Sequence, residues 1–416
     1  MKNKNRTLIL VILSLIAGLV YLAPFFRFSF YDQMKEALNL TDIQIGSIGF
    51  IYGLFNVLGY IPTGIIAEKF NTKKMLILSC LGMGLVTVWY SFYPGYTMYL
   101  VIHALYGVFS VWTFWSPYLK AVRKLGSEEE QSRLYGISEG LRGVAQTVVA
   151  FICLGALGMF AGTMVGFRVM ILINAAVFFL LMIAVIVLVP DFDKENAEDE
   201  ETPKQENVII GMFKMLGNSS TWICIFVIMC GYCLWNTVNG YVGTYCTRVL
   251  QLSPSVSSTL SIIRSYVIVF VAGVSGGIIM DKFKSRGFGL MLVYIGIIIT
   301  SIATMGLSHI TLICACVTIV ISYLVNVIKA TYWSILGDAG IPVAQTGLAT
   351  GIISLIGLTP DFFVSPIISR FIAYGESVGN VALGFNMMYI WMIVWAVLGI
   401  VAALILKKRK EKLIKA

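Results

Sequence analysis

Apolar runs of about 20 residues recur along nearly the whole chain, each the length needed to cross a bilayer core as helix. Lipid leaves no water to satisfy a backbone, so a spanning chain folds as helices or as a closed barrel. Twelve runs are present, at roughly 7–30, 44–67, 73–92, 97–120, 133–158, 167–189, 220–247, 255–280, 287–307, 309–335, 346–373 and 382–406. They are numbered helices 1 to 12 below. No stretch shows the apolar–polar alternation of a barrel strand. Only 12% of the 416 residues are charged and 58% are hydrophobic, whereas a soluble domain carries about a quarter charged residues. The sequence therefore predicts an all-α integral membrane protein of twelve transmembrane helices. Helix 1 is longer than a signal-peptide core and has no small-residue cleavage site before LAPFFRF, so it is expected to remain as a span.

Basic residues set the expected orientation. With both termini in the cytoplasm, the inner side receives Lys2, Lys4 and Arg6, then Lys69, Lys73 and Lys74, then Lys120, Arg123, Lys124 and Arg133, then Lys282, Lys284 and Arg286, and the basic tail from Lys407 to Lys415. The outer side receives Arg27, Lys35, Arg168, Arg248 and Arg370. The net charge of +9 is thus a topology signal, and no nucleic-acid partner is expected. The lipid bilayer of a bacterial cytoplasmic membrane is the expected surrounding.

The chain repeats itself. GIIAEKFNTKK at 64–74 returns as GIIMDKFKSRG at 277–287, TFWS at 113–116 as TYWS at 331–334, and GISEGLRG from Gly136 as GIISLIGL from Gly351, at offsets of 213, 218 and 215 residues. Three matches in one order at nearly one offset indicate a duplicated unit. Between the copies lies the one long polar stretch, DFDKENAEDEETPKQE at 191–206, too charged to bury apolar surface and read as a mobile linker. The expected division is a six-helix bundle at 1–190, a cytoplasmic linker at 191–219 and a second six-helix bundle with its basic tail at 220–416. NVIIGMFKML, after the linker, reads as an amphipathic helix at the membrane surface.

Catalysis and metal binding find little support. No phosphate loop or HExxH is present, the acids form no hydrolytic dyad, and the only histidines, His103 and His309, are isolated, so the Cys230/Cys233 and Cys314/Cys316 pairs have no cluster of His or further Cys to complete a metal site. The cysteines read as small packing residues. No enzymatic activity, cofactor or metal is expected.

The repeated corner carries a family resemblance. G-x-x-x-D-[RK]-x-G-[RK]-[RK] between helices 2 and 3, echoed between helices 8 and 9, is the loop signature of the major facilitator superfamily. Gly64, Glu68, Lys69, Lys73 and Lys74 fit the first copy, and Gly277, Asp281, Lys282 and Arg286 the second. Glu68 replaces the usual Asp, and Asn71 and Lys284 stand where Gly is usual. Asn tolerates a left-handed backbone and Lys does so poorly, so the second turn is expected to be built differently. With YLAPFFRFSFYDQM and KAVRKLGSEEEQSRLYGISEGLRG, the chain is similar to a bacterial permease branch of that superfamily. Arg27 also resembles the helix 1 arginine with which organophosphate:phosphate antiporters hold phosphate. The resemblance implies two six-helix bundles around a central cavity, working by alternating access. It also implies that Glu68 and Asp281 latch one conformation; the alternative is a solvated loop charge.

Charges inside a membrane mark function by default. Glu139 and Arg142, at i, i+3 on helix 5, suit an ion pair on one face, structural or gating; proton coupling by Glu139 is the other reading. Arg264 falls near mid-membrane in helix 8, Arg27 in the outer third of helix 1, Lys329 in the inner third of helix 10, and Asp361 after Pro360 in helix 11. Guanidinium binds carboxylate or phosphate with a bidentate fork, so Arg27 and Arg264, one from each half, suit a small organic anion. The alternative pairs Arg27 with Asp32 and Arg264 with Asp361. For Lys329 the alternative is snorkelling to the interface. Tyr21, Tyr232, Trp235, Asn236, Asn239, Asn326 and Trp333, together with Trp112, Trp115 and Tyr332, are candidate liners.

The reading is a secondary transporter for a small organic solute, foremost an organic anion, acting as a monomer and driven by gradients. Protons, through Asp361 or Glu139, or a counter-anion would drive it. A drug or metabolite exporter and a transporter-like ligand sensor are the rival functions.

Overall fold

A computed structural model describes residues 3–126, 130–160, 164–191, 193, 205–342 and 345–415. Side chains at 3–5, 64, 65, 68, 131–133, 205–209, 347 and 415 are outside that description. The expectations for the carboxylate of Glu68, for Gly64 as a contact, for Arg133 and for most of the linker therefore lie outside the described residues. The described residues contain no strand. Eleven of their helices are long and apolar enough to cross a membrane, and a shorter apolar helix, Arg6–Leu19, precedes them. Large apolar side chains such as Met159, Val187, Phe270, Ile299 and Leu312 project outward, as lipid permits and water does not.

Helices 2, 3, 5, 6, 7, 9 and 12 are continuous: Asp42–Lys69, Thr72–Ser91, Gln131–Met159, Met164–Leu188, Ser219–Arg248, Arg286–Gly306 and Val381–Lys415. The other five are interrupted. Helix 1 is not the single rod expected over 7–30. It stops at Leu19, passes through turns containing Pro24, and resumes as Phe26–Ser29 and Tyr31–Ala37. Proline has no N–H to donate and its ring crowds the preceding turn. Helix 4 runs Tyr96–Gly107, widens into a π-turn at Val108–Trp112 and resumes at Trp115–Arg123. Helix 10 tightens into a 3₁₀ turn at Tyr332–Ile335 after Thr311–Thr331. Both irregularities fall on the TFWS/TYWS repeat. Helix 8 carries a π-turn at Ile263–Val267, and helix 11 divides between Thr346–Gly357 and Pro360–Ser377.

The chain forms two compact units. The first holds Met1–Leu40 with Ile51–Thr202, the second Thr41–Phe50 with Pro203–Ala416. The first residues of helix 2, as far as Phe50, thus group with the second unit. In the first unit helix 1 crosses helix 5 where Gly18 leaves no room for a side chain: a Cβ there would lie 2.8 Å from the Arg142 carbonyl oxygen. In the second, a Cβ on Gly287 would lie 2.5 Å from the carbonyl oxygen of Ala403. Small residues at such crossings let backbones touch, the main source of helix association in lipid. The segment read as a surface helix forms Gln205–Lys214 and packs on helix 11, where Gly351 lies under Met212.

Neither corner uses a left-handed residue at 71 or 284. Asn71 is extended and caps helix 3, its side-chain oxygen accepting from the Lys74 N–H at 3.0 Å. Asparagine therefore serves here as an N-cap. Ser285, extended, precedes helix 9.

Candidate functional site

Polar side chains inside the first unit gather at the interruptions of helices 1 and 4. Arg27 lies on the short helix past the break, 2% exposed. Neither terminal nitrogen of its guanidinium has a hydrogen-bond partner, and the group lies over the Phe28 ring at 4.7 Å. The expected alternative, a pair with Asp32, is absent. Tyr21, on the break itself, donates to the carbonyl oxygen of Ser110 at 3.5 Å. Ser110 sits in the π-turn of helix 4, and its hydroxyl lies 3.4 Å from that of Tyr52. Trp112 donates to the Phe55 carbonyl at 2.8 Å, which fixes its indole against helix 2. Trp115 lies edge-on to Tyr21. Arg142 and Glu139 form the i, i+3 ion pair, and the Arg142 guanidinium lies over Tyr21 at 5.9 Å and Trp115 at 5.8 Å.

The second unit holds a connected group. Asp361 is 3% exposed, one residue into the second piece of helix 11. Its Oδ1 accepts from the Tyr232 hydroxyl at 2.8 Å and from Asn236 Nδ2 at 2.9 Å. Tyr232 stacks on Trp235 at 5.3 Å. The Trp235 indole donates to Asn326 at 3.0 Å, and the Lys329 ammonium sits over its ring at 3.2 Å. Lys329 is therefore turned onto an aromatic face, a cation–π contact. Asn239 accepts from Ser265 at 2.9 Å. Tyr232, Trp235, Asn236 and Asn239 follow helix spacing on helix 7, and each is used. Trp333 is half-buried beside Tyr332.

Arg264, 2% exposed in the π-turn of helix 8, bonds Ser261 at 2.9 Å, Thr318 at 3.2 Å and the Cys246 sulfur at 3.6 Å. It does not pair with Asp361, and no described carboxylate forms an ion pair with it. Hydroxyls hold the fork in place while its charge stays uncompensated. Insertion of one residue into the i→i−4 ladder is often found at functional positions, and here it carries the arginine.

Of the corner residues, Asp281 is largely exposed and meets Arg286 at 3.4 Å. Lys73 donates to the Ile186 carbonyl at 2.8 Å, while Lys69, Lys74 and Lys282 are exposed. Ser110, Tyr52, Ser261, Ser265 and Thr318 escaped the sequence reading. A hydroxyl in an apolar helix usually bonds its own backbone, so its residue type gives no signal. All eight cysteines are free. Among the described residues no group of three His, Cys, Asp or Glu side chains is placed to hold a metal.

The sequence and the fold have known counterparts. The chain is 26% identical over 427 residues to the inner membrane protein YihN of Escherichia coli (strain K12), covering all of both chains. Its fold is similar to that of a bacterial homolog of the human lysosomal transporter Spinster, with a TM-score of 0.78 at 12% identity over 99% of each chain. It is also similar to a D-xylose–proton symporter, with a TM-score of 0.76 at 16% identity over 96% of this chain and 97% of that one. The sequence model of the Major Facilitator Superfamily matches residues 10–359, across both copies of the corner and both interrupted helices of the TFWS/TYWS repeat, and the chain belongs to that superfamily of membrane transporters.

Proposed function

We propose that the protein is a secondary transporter for a small organic anion, with Arg27 as its principal anion receptor. The observation that carries this is the buried guanidinium with both terminal nitrogens unpartnered. Isolated buried charge is among the least favourable arrangements in a protein. A carboxylate or phosphate meeting both nitrogens would supply the missing bonds in bidentate form. Arg264, pinned by neutral hydroxyls, is the corresponding cation of the second unit. Lys329 over Trp235 fills with a protein cation the aromatic face that a lipophilic cation would use, which disfavours drug export.

Asp361 is the proposed proton acceptor. It is a buried carboxylate beside a helix break, oriented by Tyr232 and Asn236. The Glu139–Arg142 pair is the proposed gating contact at helix 5. The charge distribution supports a cytoplasmic location for both termini. The inner membrane is supported by the name of the Escherichia coli relative, and a monomer suffices for the reading.

A thermal-shift screen of the purified protein against carboxylates, phosphate esters, sugars and lipophilic cations tests the assignment. A ligand that binds only the folded state raises stability by mass action. Stabilisation by anions in the native protein, lost in Arg27→Gln, is the expected result. Stabilisation by cations or uncharged solutes alone would overturn it.

A further inference from the structure

The two corner helices, 3 and 9, are held at their first turn in the same way by parts of opposite sign. In the first unit the Thr72 N–H donates to Asp193 at 2.6 Å. Asp193 follows helix 6 and also meets Lys120 at 3.0 Å and Lys124 at 3.2 Å, both at the end of helix 4. In the second unit the Arg286 N–H donates to Asp338 at 3.0 Å. Asp338 lies at the end of helix 10 and meets Lys410 of helix 12 at 2.9 Å and the Arg286 side chain at 3.2 Å. Helix 10 repeats helix 4, and helix 12 repeats helix 6. At the 218-residue offset of the TFWS/TYWS match, Lys120 stands where the second half has Asp338. Asp193 and Lys410, 217 residues apart, exchange roles in the same sense. One half draws the acid from its sixth helix and the base from its fourth; the other reverses both.

We propose that Asp193–Lys120 and Asp338–Lys410 are equivalent clasps with inverted wiring, each tying three helix ends of its own half into one block. What each clasp needs is a carboxylate on the corner helix's first N–H and an opposite charge on the third helix. Which helix bears which sign is immaterial. This is independent of what the transporter carries. Both acids are well enclosed, with side-chain exposures of 23% for Asp193 and 4% for Asp338. A carboxylate at a helix N-terminus also gains from the orphan N–H groups and the helix dipole. At Asp193, burial alone would raise the carboxyl's pKa, but the Thr72 N–H and Lys120 outweigh it and hold the group down at about 2.

The inversion supplies its own experiment, because exchanging the charges in one half builds the wiring the other half already uses. Hydrogen exchange of the full-length protein would be followed in the segments 70–78 and 284–292. Lys120→Asp alone and Asp193→Lys alone should each speed exchange in 70–78 about tenfold, the ratio given by losing one charge-assisted bond of about 1.4 kcal/mol. The double exchange should return the rate to within about threefold of native. Asp338→Lys, Lys410→Asp and their double should do the same in 284–292. A double exchange no slower than its worse single, or native rates in the singles, would overturn the proposal. Should the reversals not fold, Asp193→Asn and Asp338→Asn keep an acceptor for the N–H and lose only the charge. They should still speed exchange, and native rates in both would overturn it equally.

Discussion

Replacing Arg27 by methionine should leave the ligand-free protein at least as stable as native and destroy its function. Methionine has nearly the reach of arginine without the charge. Each buried donor left without a partner costs about 1–3 kcal/mol, and Arg27 has two such nitrogens. Against this stand the contacts with the rings of Phe28 at 4.7 Å and Phe25 at 5.8 Å, together worth about 2 kcal/mol. The balance leaves Arg27→Met between neutral and about 4 kcal/mol more stable, as found when buried ionic groups give way to apolar ones. At about 2.1 cal/mol/K per residue of unfolding entropy, a chain of 416 residues gains roughly 1 °C per kcal/mol. Purified Arg27→Met should therefore melt level with native or up to about 4 °C above it without ligand, and should lose all stabilisation by anions. A variant that melts several degrees lower and still responds to anions would refute the reasoning, since Arg27 would then be a structural residue.

Asp361→Asn retains an oxygen that accepts from Tyr232 and Asn236, so it should melt within about 1 °C of native while transport ceases to respond to a proton gradient in reconstituted vesicles. Gly18→Val should lower the melting temperature markedly, because the Cβ meets the Arg142 backbone at 2.8 Å and overpacking costs about 1–3 kcal/mol; Gly306→Ala, with open space around it, should not. The Asp193 carboxyl titrates below the usual carboxylate range, at about 2, held down against its burial by the Thr72 N–H and Lys120. Its contribution is therefore fully present above pH 4 and lost as pH falls from about 4 through about 2. In thermal unfolding the advantage of native over Asp193→Asn should shrink across that window and stay constant from pH 5 to 7.

Helix number and duplication were legible because lipid imposes a length and a hydropathy that no local detail disguises. The interruptions were less so. Pro24 and Pro360 mark two of them, yet Pro62 lies inside a continuous helix 2, so proline alone does not decide. The π-turns carrying Ser110 and Arg264 depend on tertiary hydrogen bonds, among them Ser79 to the Phe109 carbonyl at 2.6 Å, and nothing local announces them. Intramembrane charges were found by their cost, but their partners were not: Asp361 turned to Tyr232 and Asn236 rather than to Arg264. In the sequence Asp193 is indistinguishable from the other acids of the polar stretch DFDKENAEDEETPKQE at 191–206. Aligned at TFWS/TYWS, the halves set Lys120 against Asp338, so the opposite signs are legible in the sequence itself.

Transport itself tests the central claim most directly. Proteoliposomes carrying the native protein or Arg27→Gln would be offered labelled carboxylates, phosphate esters, a pentose and a lipophilic cation. The account predicts that an anion is taken up and that Arg27→Gln lowers its kcat/KM by about tenfold to a hundredfold, as the loss of a charged hydrogen-bond pair requires. Movement of the pentose or the cation at equal rates in both proteins, with no anion transported, would contradict it.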